Sequence, residues 1–565
     1  MPRTYNFEEW APWEQNASPI LLTLTLNAGM NELKDYFGEG LWTSVIVYKD
    51  EQAKWLFRPK ELKMLGQKMI DFLFCPPYRV TFNTGYKTTE KSLLEKAEEI
   101  QFDDSLELQS NEQLLELFRD LEQCYYDWYK YGWFCEPVQF QGQDLLSAWI
   151  DRASKAEELT FDVDKAKEAA FTVDEESFTV EILRHLKECA EALGTALEDA
   201  RLEREISEIE GEDEFAKKAA QITLSLIESN QDPRYKTLRK KIEEHSENFY
   251  WKENNYFSTK FVSKKDVLEE LFSSEKFDIA DPTSKLKTEL EETVESKEQA
   301  LKRKSELLEV LPPFYQNLVA LMGSVGGSLI DKRKKTIMIA NGAFDRILDI
   351  FAERTDTDLE DCRFLVPQEL ETFVTSPKEY EHRFEQRRDQ FLVFQGDFSL
   401  LDVLFEDMDD LGGETEPRYK DFSMPEPFIA EGKQVDDIID ELDSRLNILS
   451  QTPAASMDSL QGVVTYSEAS QPEIIGEASI IKNPKTETIQ EGKILVAPST
   501  TPDYMDSIRK AKAIITDWGG QTSHAAIISR ELQIPCIIGT NYASQTLKNG
   551  EEVKLDFENG IVEKI

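Results

Sequence analysis

The sequence predicts a multidomain chain with a mainly α N-terminal and central body and a C-terminal domain of mixed β/α structure. Three observations predict this. At 565 residues the chain has room for roughly two to four domains. From Thr89 to about Leu311, apolar residues recur three and four apart, the period of a helix face. Near Leu460 the pattern changes to short apolar runs separated by glycine, proline and polar turns, the pattern of strands.

The body reads as follows. Residues 1–85 are rich in aromatics, and Ser44–Tyr48 and Ala53–Phe57 flank Lys49-Asp50-Glu51-Gln52 as a predicted hairpin. Trp10, Trp13, Trp42 and Trp55 fit ordinary core better than a ligand pocket. In Asn111–Trp133, Leu114, Leu115, Phe118, Leu121, Cys124, Tyr125 and Trp128 make one apolar helix face. Thr172 and Glu175 form a candidate capping box for the run through Ile182, Leu186, Leu193 and Leu197. Phe134–Phe140 interrupts the helices. Asp281-Pro282 is expected to start a long helix with a narrow stripe of Leu286, Leu290, Val294, Leu301 and Leu308. Met322–Ser328 is glycine-rich but lacks the Gly-Lys-Ser/Thr ending of a phosphate loop, so it reads as a helix break. Ser376-Pro377-Lys378-Glu379 marks another helix start. The acidic run Glu406–Asp410 and the segment to Pro427 read as solvated linker rather than a cation site. Val435–Leu449 is expected to be helical, and Ser450–Ser459 reads as a hinge.

The sharpest chemical signal lies near the end: Asp517-Trp518-Gly519-Gly520-Gln521-Thr522-Ser523-His524-Ala525-Ala526-Ile527. Lys493–Ala497 and Ala513–Thr516 are predicted strands with a short helix, Met505–Lys512, between them. The second strand delivers Gly519-Gly520. Ala525–Leu532 reads as a helix with Thr522 or Ser523 as N-cap. Ile534–Gly539 is a further strand, and Val553–Asp556 and Ile561–Lys564 a closing hairpin around Asn559-Gly560. The glycines permit positive φ and close approach of a ligand. A helix N-terminus suits an anion, and a histidine there combines nucleophile and phosphate carrier.

On these residues the region from about Leu460 to Ile565 resembles the swivelling phosphohistidine domain of the phosphoenolpyruvate-utilising enzymes. That family includes phosphoenolpyruvate synthase, pyruvate phosphate dikinase, rifampin phosphotransferase and phenylphosphate synthase. The matching positions are Gly519, Gly520, Thr522, Ser523, His524, Ala525, Ala526, Ile527, Arg530, Ile534, Pro535, Gly539 and Thr540. The resemblance implies a swivelling β/β/α fold in which His524 is phosphorylated in each cycle. Around it, Gly519, Gly520, Thr522 and Ser523 would hold the phosphoryl oxygens; Arg530 would neutralise charge or form a structural ion pair. One departure is Ser470–Gly476, longer than the family's opening turn. Weaker echoes of the family's preceding helical region are Asp345–Leu370 and Tyr250–Tyr256.

These readings divide the chain into four. Residues 1–240 are a mostly helical region expected to bind an acceptor. Residues 241–400 are a helical domain resembling the region before the swivelling domain. Residues 401–459 are acidic linker and hinge, and 460–565 are the phosphohistidine domain. No ATP-grasp pattern is evident, with 25 glycines and a helical period through residues 89–400, and a phosphoenolpyruvate-binding barrel after Ile565 is not expected. The expectation is a phosphotransferase component of the phosphoenolpyruvate synthase type. It binds no cofactor tightly and no metal. A separate ATP-grasp-type protein would bind ATP and Mg2+ and phosphorylate His524 through a pyrophosphoryl enzyme, and a small-molecule acceptor would take the phosphoryl group. His185, His245 and His382 are candidates for a base on the acceptor, or ordinary surface histidines. Two alternatives stay open: a non-enzymatic phosphocarrier or regulatory protein modified on the same histidine, and a divergent ATP domain within residues 1–240. The net charge of −44, from 109 acids against 65 bases, argues against nucleic acid or an anionic membrane as partner. Without a signal peptide, a transmembrane run or a CxxC pair among its six cysteines, the chain is expected to be cytoplasmic.

Overall fold

The computed structural model describes residues 11–15, 17–38, 40–41, 43–49, 52–155, 170, 172–209, 212–273, 276–396, 428–439, 459–467, 472–482, 484, 487–500, 504–517, 519 and 523–565. Among these, long helices build the body and a separate eight-stranded sheet builds the C-terminal region. Glu406–Asp410, residues 440–449 of the expected helix and residues 450–458 of the expected hinge lie outside the described residues.

The body has one large apolar core, drawn from residues between Ala17 and Val393, and a second between Leu186 and Leu286. The helix Asn111–Gly132 forms as its period predicts. A capping box of Ser110 and Gln113 starts it, and Leu114, Phe118, Leu121, Tyr125 and Trp128 are buried. Trp55 is core: its ring meets Trp133 edge-on at 5.2 Å, and its Nε1 donates to Ser44 Oγ. The echo segment Tyr250–Tyr256 packs on the helix just ahead of Asp345, and the other echo segment is tied within itself. Asn254 Nδ2 donates to the Met338 carbonyl at 2.9 Å, Asn341 Nδ2 donates to that of Asn255 at 2.6 Å, and Arg363 pairs with buried Asp345 at 2.6 Å.

Several local expectations change. The helix Cys135–Lys155 begins almost at once after Trp133, because Pro137 falls in the first turn, where its missing N–H is not needed. The helix Phe178–Leu197 is capped by Ser177; Glu175 instead pairs with Lys332. The long helix runs Ser284–Val310 with Thr283 at its cap position, two residues beyond Asp281. The glycine run Met322–Ser328 does not break the chain's helix. It is a π-helical segment that continues into the helix Leu329–Thr355. Its glycines admit close neighbours: a Cβ on Gly327 would stand 2.3 Å from Val173, and one on Gly326 would stand 3.3 Å from Gln139.

The body also contains a five-stranded antiparallel sheet that its helical reading did not include. The strands are β1 (Ala11–Gln15), β2 (Thr43–Lys49), β3 (Gln52–Phe57), β4 (Gln390–Gly396) and β5 (Phe428–Glu431), in the order β1-β3-β2-β4-β5. β2 and β3 are the predicted hairpin, with Lys49 opposite Gln52. β5 lies inside the stretch read as linker. A buried charge cluster holds it: Arg387, fully buried, donates to Glu431 and Glu369 at 2.6 Å each, and Arg383 donates to the same pair.

The strands of the C-terminal sheet are β6 Ser459–Gln461, β7 Val463–Tyr466, β8 Glu473–Ile480, β9 Ile494–Ala497, β10 Ala513–Thr516, β11 Cys536–Ile538, β12 Glu552–Asp556 and β13 Ile561–Lys564. Their order is β6-β13-β12-β8-β9-β10-β11-β7. β8 to β11 are parallel, while β7 and the β12–β13 hairpin close the two sides antiparallel. β9 and β10 are buried on both faces, hence their uninterrupted apolar runs. Helices Met505–Lys510 and His524–Glu531 cross over between β9, β10 and β11, and Ile508, Ala525 and Ala526 cover one face. All six cysteines are free.

Replacing Arg387 by methionine leaves two carboxylates of the cluster without their main partner. We expect a loss of about 3–5 kcal/mol, the cost of breaking a buried charge network. A lowered urea midpoint, larger than for Arg388→Met on the exposed side of the same helix, checks it.

Candidate functional site

Ala497 ends β9 opposite Thr516, the end of β10. The chain leaving β9 carries Thr500, and the chain leaving β10 carries the histidine loop. Both therefore emerge at carboxyl ends of parallel strands, the edge where open α/β sheets bind ligands.

The loop is built from the strand outward. Asp517 is 1% exposed. Its amide donates to the Ala497 carbonyl at 3.1 Å, and its carboxylate accepts from the Ser544 amide at 2.9 Å and from the Ser544 hydroxyl. Thr540 closes the same junction by donating from Oγ1 to the Thr516 carbonyl at 3.1 Å. Gly519 then turns the chain at φ +131°, and a Cβ there would lie 2.6 Å from Ser523 Oγ. A side chain is excluded twice, by conformation and by contact. Ser523 takes the N-cap, its Oγ accepting from the Ala526 amide at 3.3 Å. His524 is thus the first residue of its helix, beside the amides of the first turn and the positive end of the dipole.

The imidazole is partly buried, with Nδ1 2.9 Å from Thr500 Oγ1. Burial, with the charge of Lys334 adding to it, lowers its pKa to about 3, so it is neutral at pH 7. A hydroxyl serves Nδ1 as donor or acceptor; when it accepts the Nδ1 proton, Nε2 keeps an unshared pair.

Of the predicted site residues, Gly519, Ser523 and His524 come together here. Gly520 and Thr522 lie outside the described residues. Arg530 is placed further along the helix. Its Nε donates to the Ala526 carbonyl at 2.8 Å, and its charge bears on Cys536, while the cation bearing on His524 is Lys334. Three contributors were given no role in the site from the sequence, Thr540 standing there only as a position that matches the family pattern. Thr500 had a signal, a Ser-Thr-Thr-Pro turn directly after a strand, but only the parallel pairing of β9 with β10 brings it to His524. The Thr540–Ser544 support is ordinary turn composition. Lys334 sits in a basic run of the body with nothing local to connect it to the loop. Among the other histidines, His245 is buried against Lys252, its Nε2 3.3 Å from Nζ, and burial followed by that charge lowers it to about 3. His185 packs against Phe249, and His382 lies 3.5 Å from Glu385 on an exposed helix. Among the described residues, no group of three or more His, Cys, Asp or Glu is arranged to hold a metal, and no helix is long and apolar enough to cross a membrane.

A β/α domain that offers a neutral imidazole and helix-end amides at one edge of its sheet is built to take an anionic group. Residues 489–560 match the family described as PEP-utilising enzyme, mobile domain, and the chain carries that domain. It is similar to a probable phosphoenolpyruvate synthase of Staphylothermus marinus, 49% identical over 90 residues, which are 15% of this chain and 11% of that protein. The phosphoenolpyruvate synthase of Pyrococcus furiosus is 51% identical over 76 residues, 14% of this chain and 9% of that one. That of Aquifex aeolicus is 44% identical over 86 residues, 15% and 10%. The matched stretch thus spans about a tenth of these relatives. Among solved structures, a chain of Thermococcus kodakaraensis aconitase X aligns over 19% of this chain and 98% of its own, at 23% identity and a TM-score of 0.15.

Two outcomes are expected. Gly519→Ala forces a Cβ into Ser523 at a disfavoured φ, so we expect about 1–3 kcal/mol of destabilisation in urea melts. The pH dependence has a definite sign. An imidazole held at about 3 against an ordinary 6.5 stays neutral in the folded chain while the unfolded chain takes up a proton. Its contribution to stability is therefore whole above pH 6.5 and is lost as pH falls from there towards 3. His524→Asn should lose less stability than the native chain between pH 7 and pH 5, as read from paired urea midpoints.

Proposed function

We propose that this chain is a phosphotransferase component of the phosphoenolpyruvate synthase type, carrying a phosphoryl group on His524 from ATP bound by a separate subunit to a small-molecule acceptor. The observation that carries the reading is the Thr500–His524 pair at the head of a helix: one ring nitrogen lies within hydrogen-bond distance of a hydroxyl, and when that hydroxyl accepts, the other nitrogen is the nucleophile. In the first step, Nε2 attacks the β-phosphorus of ATP; the N–P bond forms, the P–O bond to the α-phosphate breaks, and AMP leaves. Water then removes the terminal phosphate, leaving phosphohistidine. In the second step an acceptor oxygen attacks phosphorus, the P–N bond returns its electron pair to the ring, and the hydroxyl proton passes to solvent or a base. Such transfer depends on in-line positioning and charge stabilisation. Gly519, Gly520, Thr522 and Ser523 line the phosphoryl group in this reading, with amides as the main donors. Arg530, whose Nε donates to the Ala526 carbonyl, neutralises charge at the phosphoryl group or forms a structural ion pair in this reading.

The test uses the full chain, an ATP-grasp-type partner and ATP labelled in the β-phosphoryl group. Label should appear on His524, acid-labile and base-stable, and vanish in His524→Ala. Thr500→Val should slow labelling by about five- to thirteenfold, as loss of a hydrogen bond worth about 1–1.5 kcal/mol implies, with Thr500→Ser close to native. Ser523→Ala should weaken it less, since the amides remain. Label on Thr522 or Ser523, or label persisting in His524→Ala, would overturn the reading.

A further inference from the structure

The glycine-rich segment Met322–Ser328 is crossed by a short acidic strap, Thr172-Val173-Asp174-Glu175-Glu176-Ser177, which lies just ahead of the helix Phe178–Leu197. Lys304 Nζ donates to the Thr172 carbonyl at 2.6 Å and to Asp174 Oδ1 at 3.1 Å. Val173 packs on the bare backbone of Gly327, where a Cβ would stand 2.3 Å from its Cγ2. Glu175 Oε2 accepts from Lys332 Nζ at 2.6 Å and from Ser328 Oγ, and Lys297 Nζ donates to the Glu175 carbonyl. Burial across these contacts is uneven. The Lys304 side chain is only 4% exposed, while the Asp174 side chain that meets it is 70% exposed. Among the described residues, both hydrogen-bond partners of Lys304 are strap atoms. Its Nζ lies against Gly323, 3.5 Å from where a Cβ would stand. At Gly326 of the same segment, buried Gln139 packs on the backbone, and its Nε2 has no partner.

An ammonium so deeply buried needs oxygen acceptors and a compensating charge. The strap supplies both, yet little holds the strap itself. Val173 is its one apolar residue, and ion pairs to exposed carboxylates contribute little to stability. Oxygens of another anion satisfy the same donors, whereas a cation or an apolar group does not. We propose that Lys304, Ser328 and Lys332 line a binding site for a small organic oxyanion, a carboxylate or a phosphate monoester, along the glycine-rich segment, and that the strap 172–177 occupies this site as an internal stand-in for the ligand. The Asp174 and Glu175 carboxylates hold the places of the ligand's oxygens. The missing side chains of Gly323 and Gly327 leave room for an occupant close to the backbone. Binding displaces the strap, and loss of the ligand lets it return, so the empty site closes itself. The site uses no residue of the histidine loop, and the inference goes beyond the phosphotransfer reading without depending on it.

The test uses the full chain, with inorganic phosphate and glutarate as probes. Each is compared with sodium chloride at the same ionic strength, since salt alone weakens exposed ion pairs. Calorimetry reads binding, and amide hydrogen exchange reads the strap. In the native chain a probe should speed exchange of the strap amides by about fivefold or more, the scale of ordinary coupling between two binding events. A response to phosphate alone assigns the site to a phosphate group, and a response to glutarate alone assigns it to a carboxylate. Lys304→Met should lose both binding and response, and Lys304→Arg should keep them. Asp174→Asn with Glu175→Gln weakens the competing strap and leaves the donors in place, so the probe should bind about tenfold more tightly. His524→Ala should respond as the native chain does; loss of the response there would place the anion at the histidine loop and overturn the inference. Strap exchange that neither probe changes, or that sodium chloride changes equally, also overturns it. So does a full response in Lys304→Met, or an unchanged affinity in the doubly neutralised strap.

Discussion

Asp517 has both carboxylate oxygens engaged by the Thr540–Ser544 segment, and the order at the histidine depends on that junction. It joins the end of β10 to the segment after β11 across a parallel sheet. With the strand end held, the loop has a fixed point from which Gly519 can reverse the chain and Ser523 can cap the next helix. A buried carboxylate with its hydrogen bonds complete is a rigid support, and removing one partner would expose the full cost of the buried acceptor. The position of His524 is thus set through buried groups at the strand end.

The imidazole's neutrality follows from the same packing. Burial and the Lys334 charge act in the same direction on a base, both disfavouring the proton. A histidine exposed at a helix end would stay near its ordinary value and be partly protonated in mildly acid solution. Here the ring is kept neutral by its burial and by the charge of Lys334.

The body shows a comparable dependence on buried charge. Arg387 and Arg383 hold Glu369 and Glu431 together and so fasten β5 to a sheet begun near the N-terminus. Such a network is weak evidence for net stability against an apolar core of the same shape, but it fixes register and partner strongly. It brings residues 428–431 to a strand from residues 390–396, and those to a hairpin at 43–57.

What the sequence determined by itself was local. The period of Asn111–Gly132, the strand–helix–strand order from Ile494 to Ile538, the Asn559-Gly560 turn and the Ser523 cap all follow from residues a few positions apart, where spacing and φ preference act directly. His524 at the head of its helix, behind glycines, belongs to that class, which is why the site's centre was legible. Tertiary structure decided the rest, because its causes lie far apart in the chain. Thr500 meets His524 only because β9 and β10 pair in parallel. β5 joins its sheet by pairing with β4 and through buried arginines far from it in sequence. Met322–Ser328 stays helical because Gln139 and Val173 pack against its glycines. Lys334 acquires its meaning from a domain nearly two hundred residues later, since charge acts through space and spacing along the chain carries no trace of it.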